Sequence, residues 1–134
     1  MKIRLREMGS SDFSFIMATW LRGLYYDSGF YSEIEKAVFF DNYGAIAKSI
    51  LDKSACRPRI AVLDDSPDVI LGYAIIEEAA AGDIVHYVYV KSAFRKARIC
   101  SQMLHRKVLA CTHLTELGNI IRKNKNISFN PFLC

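Results

Sequence analysis

One histidine in the middle of the chain stands in a pattern that suits proton transfer. His86 lies within residues 83–90, where β-branched and aromatic side chains alternate as in a half-buried strand. An imidazole titrates near neutral pH, so His86 is our candidate for removing a proton from an amine. The same position also fits a partly buried histidine that is hydrogen-bonded to a neighbouring carbonyl.

Two further side chains near His86 can handle protons. Glu77 ends the preceding run of strand-like residues and can act as a base through a water molecule, although a carboxylate in such a place is more often only solvated. Tyr89 can donate a proton to a departing group, or it packs as an aromatic residue of a sheet. Strict alternation predicts His86 on one face of the strand, and Tyr87 and Tyr89 on the other.

A cluster of basic residues follows this strand. Arg95, Lys96 and Arg98 open a segment whose apolar residues recur at helical spacing from Ile99 to Val108 and predict a long helix. The first turn of a helix leaves backbone N–H groups unpaired, and the helix dipole favours negative charge there. A strand that leads into a basic helix start therefore predicts a phosphate site, and a merely solvated helix start is the alternative.

Residues 90–104 resemble the acyl-CoA motif of the GNAT superfamily of N-acetyltransferases. That motif is a strand ending in Val, a short loop, an aromatic residue before Arg, and then Q/R-x-x-G-x-G/A at the start of a helix. Here Phe94 and Arg95 supply the aromatic-Arg step. Arg98 and Cys100 occupy the two positions that hold small residues, chiefly glycine, in the motif.

The resemblance implies acetyl-CoA as co-substrate and an N-acyltransferase in which an amine attacks the thioester directly. It implies that the pyrophosphate lies at the helix start and that the pantetheine arm runs along the strand, where the sheet of the family splays. The family binds its acceptor near the first helices, which here carry Arg22, Tyr25 and Tyr26, although Arg22 fits a surface charge equally well. The cofactor residues expected on this basis are Val88, Val90, Arg95, Lys96, Ala97, Arg98, Ile99, Cys100 and Ser101.

Periodicity along the chain predicts elements in the order β-α-α-β-β-β-α-β-α-β. An apolar stripe over residues 13–24 predicts the first helix, and a second helical region spans about 33–53, with Gly44 breaking or kinking it. The residues of this second region that we expect to be buried are Ile34, Val38, Phe40, Ile46, Ile50 and Leu51. The other elements are expected at about 2–6, 59–63, 69–77, 83–90, 112–114 and 127–133 for strands and 116–124 for a helix. This order indicates an α+β fold, a mixed and mostly antiparallel sheet flanked by helices, in a single domain of residues 1–134. It resembles the GNAT order along nearly the whole chain.

Composition excludes several classes of protein. The 134 residues are 51% hydrophobic, which excludes a disordered chain and suffices for a core. No apolar run approaches the roughly 18–20 residues of a membrane span, so we expect no membrane partner. The net charge of +4 suits an anionic small molecule. The four cysteines lack paired C-x-x-C spacing, so we expect no metal site, no disulfide framework and a reducing, cytoplasmic setting.

Other functions are compatible with the same residues. The side chains at Arg98 and Cys100 suit a GNAT-like protein that has lost catalysis and binds another protein, and small basic proteins of this kind resemble phage-encoded ones that act on a host partner. Nucleic-acid binding through Arg106, Lys107 and the basic turn is disfavoured, because exposed aromatic residues do not alternate with these charges. The acceptor stays open between a small-molecule amine and a peptide amine. An exposed final strand offers an edge for a homodimer.

Overall fold

The computed structural model describes residues 2–95 and 97–134, and its elements follow the expected order. The helices and strands are β1 (Ile3–Glu7), α1 (Phe13–Asp27), α2 (Lys36–Leu51), β2 (Arg59–Leu63), β3 (Ser66–Ala79), β4 (Gly82–Val90), α3 (Ile99–Met103), β5 (Val108–Cys111), α4 (Glu116–Asn124) and β6 (Ser128–Phe129). Within these described residues, none of the helices has both the length and the apolarity that crossing a bilayer requires.

The described residues form one sheet of six strands that follow one another in sequence order. Strands β1 to β4 pair antiparallel, whereas β5 runs parallel to β4 and β6 runs parallel to β5. Helices α1 and α2 pack against one face of the sheet and α3 packs against the other. The expected fold class, a mixed and mostly antiparallel sheet flanked by helices, is therefore confirmed.

The first helix buries the stripe that its sequence predicts. Ile16 and Trp20 lie one turn apart and are 0% and 1% exposed. Both belong to the same buried cluster as Tyr73 and Ile75 of β3. Burying a large apolar side chain stabilises a fold by about 1.5–3 kcal/mol relative to leaving it exposed. The periodic spacing of these residues therefore determines how α1 lies on the sheet.

Helix α2 runs unbroken through Gly44, where we expected a break or kink. A glycine inside a helix costs only about 1 kcal/mol relative to alanine. Phe39, Ala47 and Ile50 are each 1% exposed, and their burial outweighs that cost. The buried face also differs from the expected one. Ile34, Val38 and Ile46, which we expected inside, are 38%, 48% and 38% exposed.

Helix α3 is far shorter than the predicted helix, since it ends at Met103 after five residues. The chain returns to the sheet at once because the buried Asp83 holds it there. The Asp83 N–H donates to the Lys107 carbonyl at 2.7 Å, and the Asp83 carboxylate accepts from Arg106 at 2.8 Å. Strand β5 therefore begins at Val108, earlier than the predicted strand.

The C-terminal region is partly as predicted. Helix α4 has the expected bounds, and Thr115 caps it by accepting a hydrogen bond from the Gly118 N–H at 3.0 Å. The final strand is shorter than expected, since β6 has two residues and Pro131 opens a turn of 3-10 helix. A proline lacks the N–H that would continue the strand pairing.

The Tyr87 hydroxyl of β4 packs against α1 at Gly23, and this contact yields a first prediction. A Cβ added at Gly23 would overlap the Tyr87 hydroxyl oxygen. We expect Gly23→Ala to destabilise the protein by about 1–2 kcal/mol, because overpacking outweighs the gain of about 1 kcal/mol in helix propensity. Urea unfolding measures the change.

The matched control is the same substitution in a Tyr87→Phe background. There the overlapping oxygen is gone, and the nearest ring carbon lies 3.2 Å from the added Cβ. The cost of Gly23→Ala should shrink or change sign in that background. An equal cost in both backgrounds would contradict the assignment of the overlap to the hydroxyl group.

Candidate functional site

Strand β4 carries a bulge at His86. Ile75 of β3 pairs with Tyr87, whereas the next residue, Ile76, pairs with Val85, so His86 is an extra residue in β4. Side chains along a strand normally point to the two faces of the sheet in turn, and one extra residue interrupts that alternation. His86 therefore lies on the face of α1 and α2 together with Tyr87, and the expectation that the two point to opposite faces is wrong.

His86 belongs to a chain of hydrogen bonds that joins β3 to the end of β5. Its Nε2 lies 2.7 Å from Glu77 Oε1, and its Nδ1 lies 2.7 Å from Thr112 Oγ1. Glu77 also accepts from Lys53 Nζ at 3.0 Å. At the other end, Thr112 Oγ1 lies 2.8 Å from His113 Nδ1. We call these five residues the polar chain.

The surroundings of the polar chain determine its charges. Burial lowers the pKa of His86, an effect that the hydrogen bond to Glu77 only partly offsets. Burial raises the pKa of Glu77, but the hydrogen bonds from Lys53 and His86 outweigh it and the pKa is lowered overall. At neutral pH the polar chain therefore holds an ionised Glu77 and a neutral His86.

His86 is not placed to meet a substrate directly, although we expected it to remove a proton from one. Its side chain is 0% exposed, and both ring nitrogens have hydrogen-bond partners inside the protein. Glu77 is brought into contact with His86 and is nearly buried as well. A proton can therefore reach His86 only through its partners Glu77 and Thr112.

His113, like Lys53 and Thr112, is a residue of the polar chain that the sequence did not predict. It is partly exposed, and its ring makes edge contacts with Trp20 and Tyr43 at centroid distances of 6.5 and 5.7 Å. Burial, with a smaller contribution from His86, lowers the pKa of His113 to about 4. Nothing in the local sequence marks this histidine, because the aromatic rings that pack against it come from elements distant along the chain.

Strands β4 and β5 separate next to the polar chain. The N–H of Thr112 donates to the Val85 carbonyl at 3.1 Å, and this is the last backbone hydrogen bond between the two strands in the described part of the chain. Beyond Val85, β4 continues for five residues with β3 on one side. The sheet is therefore open on the other side of β4.

The opening exposes backbone groups of Val88 and Val90. The N–H of Lys91 donates to the Leu71 carbonyl of β3 at 2.9 Å, and Tyr73 pairs with Tyr89. Alternate residues of a strand direct their N–H and C=O groups to opposite sides, so those of Val88 and Val90 face away from β3. We call this side of β4 the open edge.

The loop after β4 keeps a glycine-like backbone at Arg98. This residue has φ 59° and ψ 27°, the left-handed conformation, at the first glycine position of the motif that the sequence resembles. Such a conformation costs an L side chain about 1–2 kcal/mol.

Of the other residues expected at the phosphate site, Lys96 lies outside the described residues. Burial raises the pKa of the Cys100 thiol, which therefore stays protonated at neutral pH.

Arg95 is the basic side chain that reaches the open edge. Its Nε lies 3.4 Å from the Val90 carbonyl oxygen, longer than a typical hydrogen bond of this type, and the contact is exposed to solvent. Ala97 donates its N–H to the Phe94 carbonyl at 3.1 Å, so that group is already paired within the loop.

The residues expected around the acceptor divide into two kinds. Tyr25 is 6% exposed, and its hydroxyl donates to the Ile34 carbonyl at 2.8 Å, so it anchors the segment before α2 and is not placed to contact a substrate. Arg22 and Tyr26 lie at the surface, with the Arg22 guanidinium carbon 6.0 Å from the centre of the Tyr26 ring.

Tyr89 packs within the aromatic layer and lies outside the polar chain. Its ring stacks on Tyr73 at 5.2 Å and meets Phe15 edge-on at 5.9 Å. It is half-buried and belongs to the face covered by α1 and α2.

Among the residues that the structure describes, no three His, Cys, Asp or Glu side chains are grouped as metal ligands.

Comparison with solved structures finds the same architecture in acetyltransferases. A protein from Clostridium acetobutylicum described as a predicted acetyltransferase, solved with acetyl-CoA, aligns at TM-score 0.64 and 14% identity over 95% of this chain and 90% of that one. The aminoglycoside N-acetyltransferase AAC(6')-Iy, in complex with a bisubstrate analogue made from CoA and acetylneamine, aligns at 0.53 and 13% identity over 96% and 92% of the two chains.

A third structure extends the comparison to an enzyme named for a protein substrate. Ribosomal-protein-alanine N-acetyltransferase from Brucella melitensis aligns at TM-score 0.50 and 14% identity over 96% of this chain and 77% of that one. No protein-family model and no curated protein matches the sequence. The fold is therefore that of the GNAT acetyltransferases, as the motif resemblance implies. Sequence identities of 13–14% show a shared fold and do not extend to a shared substrate.

The strained backbone at Arg98 yields a second prediction. Arg98→Gly should be more stable than Arg98→Ala by about 1 kcal/mol, because alanine keeps the Cβ that the left-handed conformation disfavours. Both variants remove the guanidinium group, so the difference between them isolates the backbone effect. Urea unfolding of the two variants measures it, and equal stabilities would contradict the strain at this position.

The lowered pKa of His113 yields a third prediction. In the unfolded chain this residue protonates near its ordinary pKa of 6.5, whereas in the folded protein it stays neutral down to about 4. The unfolded state therefore binds more protons in this range, and stability falls as the pH falls. Between about pH 7 and pH 5 we expect a loss of roughly 2 kcal/mol from this residue.

The loss is measured by urea unfolding at both pH values. His113→Gln should show a smaller loss than the native protein, whereas His105→Gln, at an exposed position, should match the native protein. His86 contributes in the same direction. Because His86 and His113 share the polar chain, the difference between the native protein and His113→Gln measures His113 together with its coupling to His86. A native loss that His113→Gln leaves unchanged would contradict the burial effect.

Proposed function

We propose that this chain, which has the fold of the GNAT acetyltransferases, is an N-acetyltransferase that uses acetyl-CoA and acts as a single domain. The observation that carries the proposal is the open edge. Backbone N–H and C=O groups of Val88 and Val90 face away from β3 and have no strand beside them in the described residues. An amide-containing arm can pair with such an edge as an added strand does.

The length of the open edge suits the pantetheine arm of acetyl-CoA. From Val90 to Val85 an extended strand spans about 16 Å, taking about 3.3 Å per residue. The basic loop follows Val90 at one end, and the polar chain lies beside Val85 at the other. A cofactor with its phosphates at the loop and its arm along β4 would bring the thioester to the polar chain.

The loop residues can bind the pyrophosphate in spite of the two missing glycines. Arg95 holds the Val90 carbonyl by a long and exposed contact, so its guanidinium is free to move to a phosphate. Arg98 has the left-handed backbone that favours glycine, and it adds a second guanidinium, which can bind phosphate oxygens in pairs. The proposed pyrophosphate site is therefore this loop with the start of α3, including Ile99, Cys100 and Ser101.

The proposed reaction is direct attack of a neutral amine on the thioester. The amine nitrogen forms a bond to the carbonyl carbon, the bond from carbon to sulfur breaks, and the products are an amide and CoA. Backbone N–H groups of β4 would stabilise the negative charge on the carbonyl oxygen. Arg22 and Tyr26 lie at the surface of α1 and are the proposed acceptor contacts.

The acceptor is proposed to be a small-molecule amine or a peptide amine. One structural neighbour holds an analogue made from an aminoglycoside, and another is named for ribosomal-protein alanine.

The cytoplasmic setting also stays a prediction, supported by four cysteines that are free thiols. Homodimer formation through the final strand has weaker support, because β6 has only two residues.

A second candidate function is a GNAT-fold binding protein without catalysis, as in a phage protein that acts on a host partner. Two observations favour it. Side chains replace both motif glycines at Arg98 and Cys100, and α3 has five residues where the motif predicts a long helix. The added side chains hinder the close approach of a phosphate to the backbone, and a helix this short contributes a weaker dipole.

Calorimetry with acetyl-CoA separates the two functions. We expect heat of binding with acetyl-CoA, and a loss of affinity of roughly tenfold for Arg95→Ala, because a contact with a charged group contributes about 1.5–3 kcal/mol. Arg4→Ala is the matched control, since it removes the same charge at an exposed position of β1. It should bind acetyl-CoA as the native protein does.

Calorimetry with two fragments of the cofactor measures separately how the open edge and the loop contribute to affinity. Acetyl-pantetheine tests the open edge, and adenosine 3′-phosphate 5′-diphosphate, which keeps the pyrophosphate, tests the loop. No heat with acetyl-CoA or with longer acyl thioesters would overturn the transferase and favour the binding protein. Binding of the nucleotide fragment alone, with no gain from the pantetheine arm, would contradict the role of the open edge.

A further inference from the structure

The hydrogen bonds of the polar chain can be satisfied in only one direction when His86 is neutral. An ionised carboxylate only accepts, so Glu77 accepts the proton that His86 carries on Nε2. The Nδ1 of a neutral His86 is then an acceptor and takes its hydrogen bond from the Thr112 hydroxyl. Because that hydroxyl has donated its one proton, its oxygen accepts from His113 Nδ1. This leaves His113 Nε2 as an unprotonated base.

The position of His113 Nε2 is suited to meet a reactant. Nε2 makes no hydrogen bond to another side chain among the described residues, and it is not among the side-chain atoms that are both buried and unpaired. His113 directly follows Thr112, whose N–H makes the last bond between β4 and β5. The base therefore lies where the open edge begins.

The packing around His113 holds the ring in this orientation. Trp20 of α1 and Tyr43 of α2 meet it edge-on, and the centre of the His86 ring lies 6.4 Å from its own. The Thr112 hydroxyl fixes which nitrogen points inward. A ring held by packing and by a hydrogen bond presents a single nitrogen to the opening.

A proton that arrives at Nε2 does not leave its charge on His113. His113 can pass its Nδ1 proton to Thr112, and Thr112 can pass its hydroxyl proton to His86 Nδ1. His113 is then neutral, with its proton on Nε2, and His86 is an imidazolium 2.7 Å from the Glu77 carboxylate. The positive charge thus moves from an apolar surrounding to a site with an opposite charge in contact.

We propose that His113 is the general base and acid of the transfer and that Thr112, His86 and Glu77 are positioning residues that accept and return its proton. This inference rests on the proposed acetyltransferase function. As the amine attacks the thioester, its proton goes to His113 Nε2 and the protons of the polar chain shift toward His86. When the bond from carbon to sulfur breaks, Nε2 returns a proton to the thiolate, and the polar chain shifts back. One amine proton ends on the CoA thiol.

The first test determines which nitrogens carry protons, and it needs no acceptor. Long-range proton–nitrogen correlation spectra of the full chain, labelled with ¹⁵N-histidine, distinguish the two forms of each neutral ring. Near neutral pH we expect the proton of His113 on Nδ1 and that of His86 on Nε2. A native His113 that carries its proton on Nε2 would overturn the proposal.

Variants of Thr112 show whether the hydroxyl sets this arrangement. Thr112→Ser keeps the hydroxyl and should keep the Nδ1 form of His113. Thr112→Val has the same shape without the hydroxyl, and His113 should then shift to the Nε2 form that an imidazole side chain ordinarily favours. An unchanged His113 in a folded Thr112→Val protein would also overturn the proposal, and the native spectrum decides the case if this variant does not fold.

The second test locates His113 relative to the acetyl group. Diethyl pyrocarbonate modifies histidines at a free ring nitrogen, so His113 and the exposed His105 should react and the buried His86 should not. With acetyl-CoA at about ten times its dissociation constant, modification of His113 should slow about tenfold, because about one molecule in ten remains unliganded. His105 is the internal control and should react at an unchanged rate.

The outcomes of the second test separate the two proposals. If calorimetry shows that acetyl-CoA binds and His113 reacts as fast as before, the role of His113 is overturned and the acetyltransferase proposal stands. If acetyl-CoA does not bind, the proposed function fails and the role of His113 fails with it. Protection of His113 together with the expected proton positions supports both.

Discussion

The end of the pairing between β4 and β5 is the constraint on which the site depends. One bond, from the Thr112 N–H to the Val85 carbonyl, closes the parallel pairing, and beyond it β4 has a neighbour on one side only. The bulge at His86 directly follows Val85, and it turns the His86 side chain toward Thr112. Backbone groups that can hold a cofactor and side chains that can move a proton therefore meet at one point of the sheet.

The buried Asp83 fixes that point in the sequence. Its carboxylate is fully buried and lies 3.0 Å from Arg59 and 2.8 Å from Arg106, while its N–H holds Lys107. Removing one partner of a buried ion pair is strongly destabilising, since the remaining charge keeps its desolvation cost. These contacts set where β5 begins, and so they place Thr112 and the next residue opposite the bulge. A group of charges at the start of β4 thus determines where the open edge begins.

Sequence predicted what depends on local periodicity and missed what depends on pairing between distant segments. The stripe of α1 and the bounds of α4 follow from the spacing of apolar and capping residues, and both appear in the structure. The bulge at His86 and the short α3 follow from strand pairing and from Asp83, which no local pattern encodes. For the same reason His86 was placed on the wrong face, and His113 was overlooked. The motif resemblance located the open edge because it concerns a strand and the loop that directly follows it.

Amide hydrogen exchange at Val88 and Val90 tests the central claim most directly. In the free protein these two N–H groups should exchange faster than that of Tyr89, whose backbone pairs with β3. Saturating acetyl-CoA should slow the exchange at Val88 and Val90 and leave Tyr89 little changed, because the added arm pairs with the open edge alone. Exchange at Val88 and Val90 that is already slow in the free protein, or that bound acetyl-CoA leaves fast, would contradict the account.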